Sequence, residues 1–131
     1  MAQKRVAVVP VIRKNNTHHV CLVTSRCKRK WIVPTGKREK HLTDAQVALL
    51  EAYEEAGVTG KLDKSFRRSI EVCSPSGRKV RQTELFLIKV DRQHNKWPEM
   101  KQRRRKFVDI RKLHRFVCDK KLSRTIQAHL S

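Results

Sequence analysis

Between residues 31 and 58 the chain reads WIVPTGKREKHLTDAQVALLEAYEEAGV, and few folds accommodate this stretch. A short apolar strand is stopped by Pro34 and Gly36, and a polar loop follows. Thr43 is a good N-cap, and Gln46 three residues later completes a capping box. Leu42 before the cap and Val47 inside the helix can form a hydrophobic staple, and Gly57 supplies a left-handed stop. The spacing therefore predicts a helix over residues 44–56. At about 100° per residue, Glu51, Glu54 and Glu55 share one face of that helix. The opposite face carries Ala45, Leu49, Ala52 and Ala56, a stripe of mostly small residues suited to close packing. Three neighbouring carboxylates repel one another unless a cation offsets them, so this face can serve as a divalent-metal platform. Taken alone, such a face is more often just a solvated acidic surface.

Apolar runs flank the helix on both sides. Residues 5–13, RVAVVPVIR, read as a strand; Pro10 has no N–H for a ladder and predicts an edge or a bulge. A polar turn at 14–19 leads to a second strand at 20–24, and the two make a hairpin. A dense basic loop at 25–30 precedes the short strand at 31–33. After the helix, 59–64 read as a connector, and 65–73 and 79–90 as strands around the turn SPSG. In the second of these, Leu85 and Leu87 alternate with Phe86 and Ile88. A polar loop at 91–100 leads to the basic cluster KQRRRK and a strand at 107–108. Asp109 caps a short helix through Phe116, and a terminal helix over about 119–130 carries Leu122, Ile126 and Leu130 on one stripe. Strands on either side of a central helix, with a second helix at the end, predict an α/β fold in which a mixed sheet is covered on both faces.

A chain of 131 residues predicts one domain, 1–131. No apolar run approaches the roughly 20 residues that span a membrane. The N-terminus shows no apolar leader before a small-residue cleavage site. Cys21, Cys27, Cys73 and Cys118 form no CxxC pair. These features together predict a cytoplasmic chain with reduced thiols and no membrane partner; a disulfide pair is the alternative. The charge points to a partner: 32 Lys and Arg against 12 Asp and Glu give a formal net charge of +20. Such a field draws polyanions, among them RNA, nucleotides and highly phosphorylated small molecules. The alternative is a solvated basic surface with no specific partner.

Gly36, Glu51, Glu54, Glu55, Gly57 and Val58 stand in the register G-x5-E-x7-R-E-U-x-E-E-x-G-U, where U is apolar. In this the chain resembles the Nudix hydrolase family. The resemblance implies an α/β/α sandwich with a mixed β-sheet, and hydrolysis of a pyrophosphate linkage with Mg2+ or Mn2+. It implies Glu51, Glu54 and Glu55 as metal ligands and catalytic residues, one of them assisting a water. Two positions depart from the pattern: Leu42 replaces the first Glu and Leu50 replaces the Arg that orients the catalytic Glu in the family. Outside the box, RVAVVPVIR, LVTSRCKRKWIVP and WPEMKQRRRKFVDI are similar to the diphosphoinositol polyphosphate phosphohydrolase branch. By position, that likeness implies substrate contacts at Arg5, Ser25, Arg26 and Arg105, with Gly36 in the substrate loop. Lys106 stands where the branch often has an acid, and residues 35–37 lack its run of glycines.

Two functions follow as expectations. The first is a Mg2+-dependent pyrophosphohydrolase for a highly phosphorylated small molecule, an inositol pyrophosphate or a dinucleoside polyphosphate. The second is a catalytically weakened Nudix domain that binds nucleic acid or polyphosphate. Other residues are expected to carry less. Trp31 and Trp97 pack against the core or its rim, or stack on a base. Glu84, at the start of an apolar strand, is a candidate for an additional ligand or base. The histidines form no zinc spacing with the cysteines.

Overall fold

The computed structural model describes residues 4–27 and 30–131; Lys28 and Arg29 of the predicted basic loop lie outside the described residues. The strands are β1 (Arg5–Lys14), β2 (Thr17–Thr24), β3 (Trp31–Ile32), β4 (Thr35–Lys37), β5 (Val58–Cys73), β6 (Val80–Gln93) and β7 (Arg105–Asp109). Helix α1 (Asp44–Ala56) follows β4; a 3-10 turn (Ile110–Arg115) and helix α2 (Lys120–Leu130) close the chain. The sheet order is β3-β2-β1-β6-β5, with β4 paired to β1 and β7 to β2. Strands β1 and β6 run parallel, and the other pairs are antiparallel. The predicted mixed sheet is therefore present.

Alternation decides which helix each strand residue meets. Val6, Val8, Cys21, Val23, Phe86 and Ile88 point to one face, where they bury Val47, Ala48, Ala52 and Ala56 of α1. Ala7, Val9, Val11, Val20, Leu22, Leu85 and Leu87 point to the other, against Leu122 and Ile126 of α2 and Leu113 of the 3-10 turn. A fully buried Val, Leu or Ile contributes roughly 1.5–3 kcal/mol, so both helices are held chiefly by these contacts. Small residues at 48, 52 and 56 bring α1 close to the sheet. Ala45 and Leu49, expected in that stripe, pack at its partly exposed border.

Pro10 is neither at an edge nor in a bulge. Strand β1 is interior, and Pro10 lies opposite Ile88 on β6. Val8 donates to Pro34 O at 3.0 Å on the other side of β1, and Pro10, two residues on, faces that same side. There β1 passes from β4, paired at residues 5–7, to β2, paired at 11–14, so the missing N–H falls where no ladder partner stands. The hairpin turn is also tighter than expected. Asn15 and Asn16 both adopt positive φ, 53° and 62°, and β2 begins at once.

Residues 59–64 are not a connector. Strand β5 starts at Val58 and stays paired with β6, its register shifting between Thr59 and Gly60 and between Leu62 and Arg67. Those slips break the alternation that would mark a strand. Strand β4 likewise emerges from what reads as loop, because its three residues carry no apolar pattern.

Candidate active site

Both ends of α1 are tied down, which fixes its acidic face. At the start, Thr43 accepts from the Gln46 N–H and the Gln46 side chain accepts from the Thr43 N–H. Arg38 clamps Asp44 with two hydrogen bonds of 2.9 Å, and Arg67 stands 3.5 Å away. At the end, Gly57 takes φ 66°, and its N–H reaches Ala52 O and Tyr53 O. Arg105 Nη1 donates to Ala56 O at 3.0 Å and Gly57 O at 3.2 Å, a cation on helix-end carbonyls. Its guanidinium lies 4.2 Å from the centroid of Trp97, whose Nε1 donates to Glu55 O at 3.1 Å.

Glu51 and Glu55, one turn apart, share a side-chain hydrogen bond. Glu55 is only 4% exposed. Burial, first, and then the bond its protonated carboxyl donates to Glu51 push its pKa up to about 9, against the pull of Arg103 and of the Thr35 N–H. That N–H donates to Glu55 Oε1 at 3.2 Å. Glu51 is also raised, by burial and by the charges of Glu54 and Glu99, while its bond to Glu55 and the charge of Arg5 act the other way. Gly36 lies directly beneath Glu51: a Cβ on it would overlap the Glu51 carboxylate. The box glycine is therefore needed for space and not for its backbone conformation.

Among the described residues no group of three or more His, Cys, Asp or Glu side chains is placed to hold a metal ion, so the three glutamates do not converge as a ready-made ligand set. Mg2+ asks for less: one or two carboxylates, water, and the phosphates of its substrate. Glu55, buried, and Glu51 and Glu54, half-buried on the same helix face, fit such an open site. All are hard oxygen donors, and Glu51 and Glu55 are forced to share a proton when no cation lies between them.

A cavity of about 290 Å³ opens on the α2 side of the sheet; none of the three glutamates lines it, and Thr35 and Arg5 are the residues that link it to the pair. Thr35, which bonds Glu55, lines it, as does Arg5, which feels the charges of both Glu55 and Glu51. Its apolar lining comes from Ala7, Trp31, Val33, Val72, Val117 and Leu122. Arg5, Lys30 and Arg81 bring three cations to it. Arg5 pairs across the ladder with Thr83, and Arg81 is two residues from Thr83 on β6, so both arginines lie on the cavity face of the sheet. Arg5 Nε is buried without a hydrogen-bond partner.

The predicted site residues thus separate. Glu51, Glu55 and Gly36 lie together, and Glu54 and Arg5 are near enough for their charges to act on Glu51. Arg26 is exposed, and its charge reaches Arg5. Ser25 is buried, with Oγ 3.2 Å from Cys27 Sγ, and offers no open hydroxyl to the cavity. Arg105 is committed to the end of α1. Glu84, a candidate extra ligand, is held by Ser69, Arg67 and Lys4. Burial raises its pKa, but the hydrogen bonds from Ser69 and Arg67 and the charge of Lys4 outweigh it and hold the group below the usual range. Leu42 fills its staple place against the α1-side core. Sequence reasoning missed Arg81, Glu99 and Arg103. Only the cluster KQRRRK hinted at the last, and nothing in it singles out one buried arginine among five cations.

No family model matches the chain. Two curated relatives from Arabidopsis thaliana do, each over 70% of this chain: Nudix hydrolase 21, chloroplastic, at 33% identity, and Nudix hydrolase 4, at 31%. The matched parts cover 46% and 44% of those proteins, so the chain spans somewhat under half the length of its curated relatives. Among solved structures, a C. elegans Ap4A hydrolase superposes with TM-score 0.78 at 16% identity, covering 100% of both chains. A binary complex of a C. elegans Ap4A hydrolase gives 0.73 at 16% identity, over 98% of this chain and 97% of that one. A Nudix hydrolase from M. smegmatis gives 0.70 at 15%, over 98% and 88%. The fold is that of Nudix hydrolases, and the two plant relatives, together with the glycine-framed glutamates of α1, support the Nudix hydrolase family for this chain.

Proposed function

We propose that the chain is a divalent-metal-dependent pyrophosphohydrolase for a nucleotide-bearing polyphosphate, with a dinucleoside polyphosphate as the substrate class. The observation that carries this reading is the Glu51–Glu55 pair linked, through the Thr35 N–H and the charge of Arg5, to a cavity with an apolar lining and three cations. A dinucleoside polyphosphate has both halves of that chemistry: flat bases for the apolar wall beside Trp31, and a phosphate chain for Arg5, Lys30 and Arg81. An inositol pyrophosphate is ringed by phosphates and would leave the apolar wall without a partner. The solved neighbours described as Ap4A hydrolases agree with this choice.

Glu51, Glu54 and Glu55 would hold Mg2+ or Mn2+. Such an ion, when bound, neutralises phosphate charge and lowers the pKa of a coordinated water. Arg5 holds a phosphate at the border of cavity and carboxylates, where its unpartnered Nε provides a donor. Glu55 holds its own proton in the metal-free chain, so it would take one from the attacking water only once a bound cation had displaced that proton. The Thr35 N–H, at 3.2 Å, fixes one oxygen of that carboxylate.

The test is a panel with Mg2+ or Mn2+: dinucleoside polyphosphates, inositol pyrophosphates, nucleoside triphosphates, ADP-ribose and capped RNA. Turnover highest on a dinucleoside polyphosphate is expected. Salt-sensitive binding of RNA or polyphosphate with no turnover on any member would contradict it and favour a binding module.

A further inference from the structure

Helix α1 carries four acids, Asp44, Glu51, Glu54 and Glu55, and no lysine or arginine. Glu55 is nonetheless buried, and a buried carboxylate needs a counter-charge held in place. Position 50, where the Nudix pattern has arginine, is leucine. The cation comes instead from the segment between β6 and β7. Arg103 is 7% exposed, and its Nη2 lies 3.6 Å from Glu55 Oε2. Its other nitrogens are fixed: Nε donates to Glu99 Oε1 at 2.8 Å and Nη1 to Thr24 O at 2.9 Å.

The backbone that carries it is pinned too. Arg103 N–H donates to Glu99 O at 3.0 Å, and Glu99 N–H donates to Glu54 O at 3.0 Å. Thr24 N–H donates to Arg104 O, and Arg104 N–H to Thr24 Oγ1, each at 3.0 Å. One guanidinium therefore joins the end of β2, the loop after β6 and the acidic face of α1. A planar five-donor fork can bond two acceptors and face a third carboxylate as an ion pair in this way; an ammonium on a flexible stem cannot.

We propose that Arg103 is the positioning residue of the carboxylate site, taking from outside the helix the orienting role that Leu50 cannot perform. It touches neither substrate nor reacting atoms and acts through Glu55. This inference rests on the functional reading above, and its test separates the two. Wild type, Arg103→Lys and Arg103→Met are compared for Mn2+ binding by calorimetry without substrate, for kcat and KM, and for thermal midpoint. Lysine keeps the charge, and with it the repulsion toward a metal, but loses the fork. Arg103→Lys is expected to fold, to bind Mn2+ several-fold more weakly, and to lose about tenfold or more in kcat with KM nearly unchanged. Arg103→Met is expected to lose more. A folded Arg103→Lys with wild-type Mn2+ affinity and kcat, only its midpoint lowered, overturns the inference even where Arg103→Met does not fold. A wild-type chain that binds no Mn2+ and turns nothing over overturns the functional reading itself, and this inference with it.

Discussion

Glu55 and Glu51 hydrogen-bond one another across a single turn of α1, and Glu55 sits at the bottom of the pair with almost no exposure. In the folded chain Glu55 keeps its proton to about pH 9, whereas unfolded it releases it near 4.5. Between those values the folded state binds more protons, so stability is full below the unfolded pKa and declines as pH rises toward the folded one. The metal-free protein should therefore show a falling thermal midpoint from about pH 5 to pH 9, and added Mg2+ should recover much of it at the alkaline end. Glu55→Gln should flatten the slope. A midpoint that rises with pH across this window, in the wild type without metal, would count against the pair.

Gly36→Ala places a methyl group where the Glu51 carboxylate lies. The obstacle is the end of a flexible side chain, so the fold should accommodate it by moving Glu51. The midpoint should drop little, while turnover falls on the order of 10–100-fold and Mn2+ binding weakens. Unchanged Mn2+ affinity in a folded variant would show that Glu51 is not a ligand.

Arg105→Ala distinguishes helix capping from substrate contact. It removes a charged donor from Ala56 and Gly57 and a cation from the face of Trp97. The cost should be about 1.5–3 kcal/mol, with KM within about twofold of wild type. A raised KM at an unaltered midpoint would restore Arg105 to the substrate contacts.

Arg5→Gln should do the reverse. Arg5 Nε is buried without a hydrogen-bond partner, and the substitution removes repulsion by Arg81, so stability should hold or rise. Loss of a charged contact to phosphate should raise KM by roughly 10–100-fold. Arg81→Gln is expected to act in the same direction, and wild-type KM in both would remove the cavity from the substrate path.

The readable parts of this chain are those set by local chemistry. Thr43, Gln46 and Gly57 place α1 because caps and a left-handed stop are properties of neighbouring residues. Leu85 to Ile88 give the two faces of β6 because alternation is local as well. The rest depends on partners distant in sequence. The slips at Thr59 and Leu62 are absorbed by β6, and Pro10 is tolerated because β1 changes neighbours beside it. At the site, the glutamates were legible from their spacing on one helix face. Arg103 was not, since its three partners belong to residues 24, 55 and 99. Arg105 shows the converse: a position matched by resemblance, whose side chain is spent on the helix end.

The most direct measurement is Mg2+-dependent phosphate release from a dinucleoside polyphosphate by wild type beside Glu54→Gln and Glu55→Gln, each confirmed to be folded. Turnover by wild type that collapses by at least about a hundredfold in Glu55→Gln, and strongly in Glu54→Gln, is the predicted result. Full activity in both variants would contradict the account, because the acidic face of α1 would then not be where the reaction occurs.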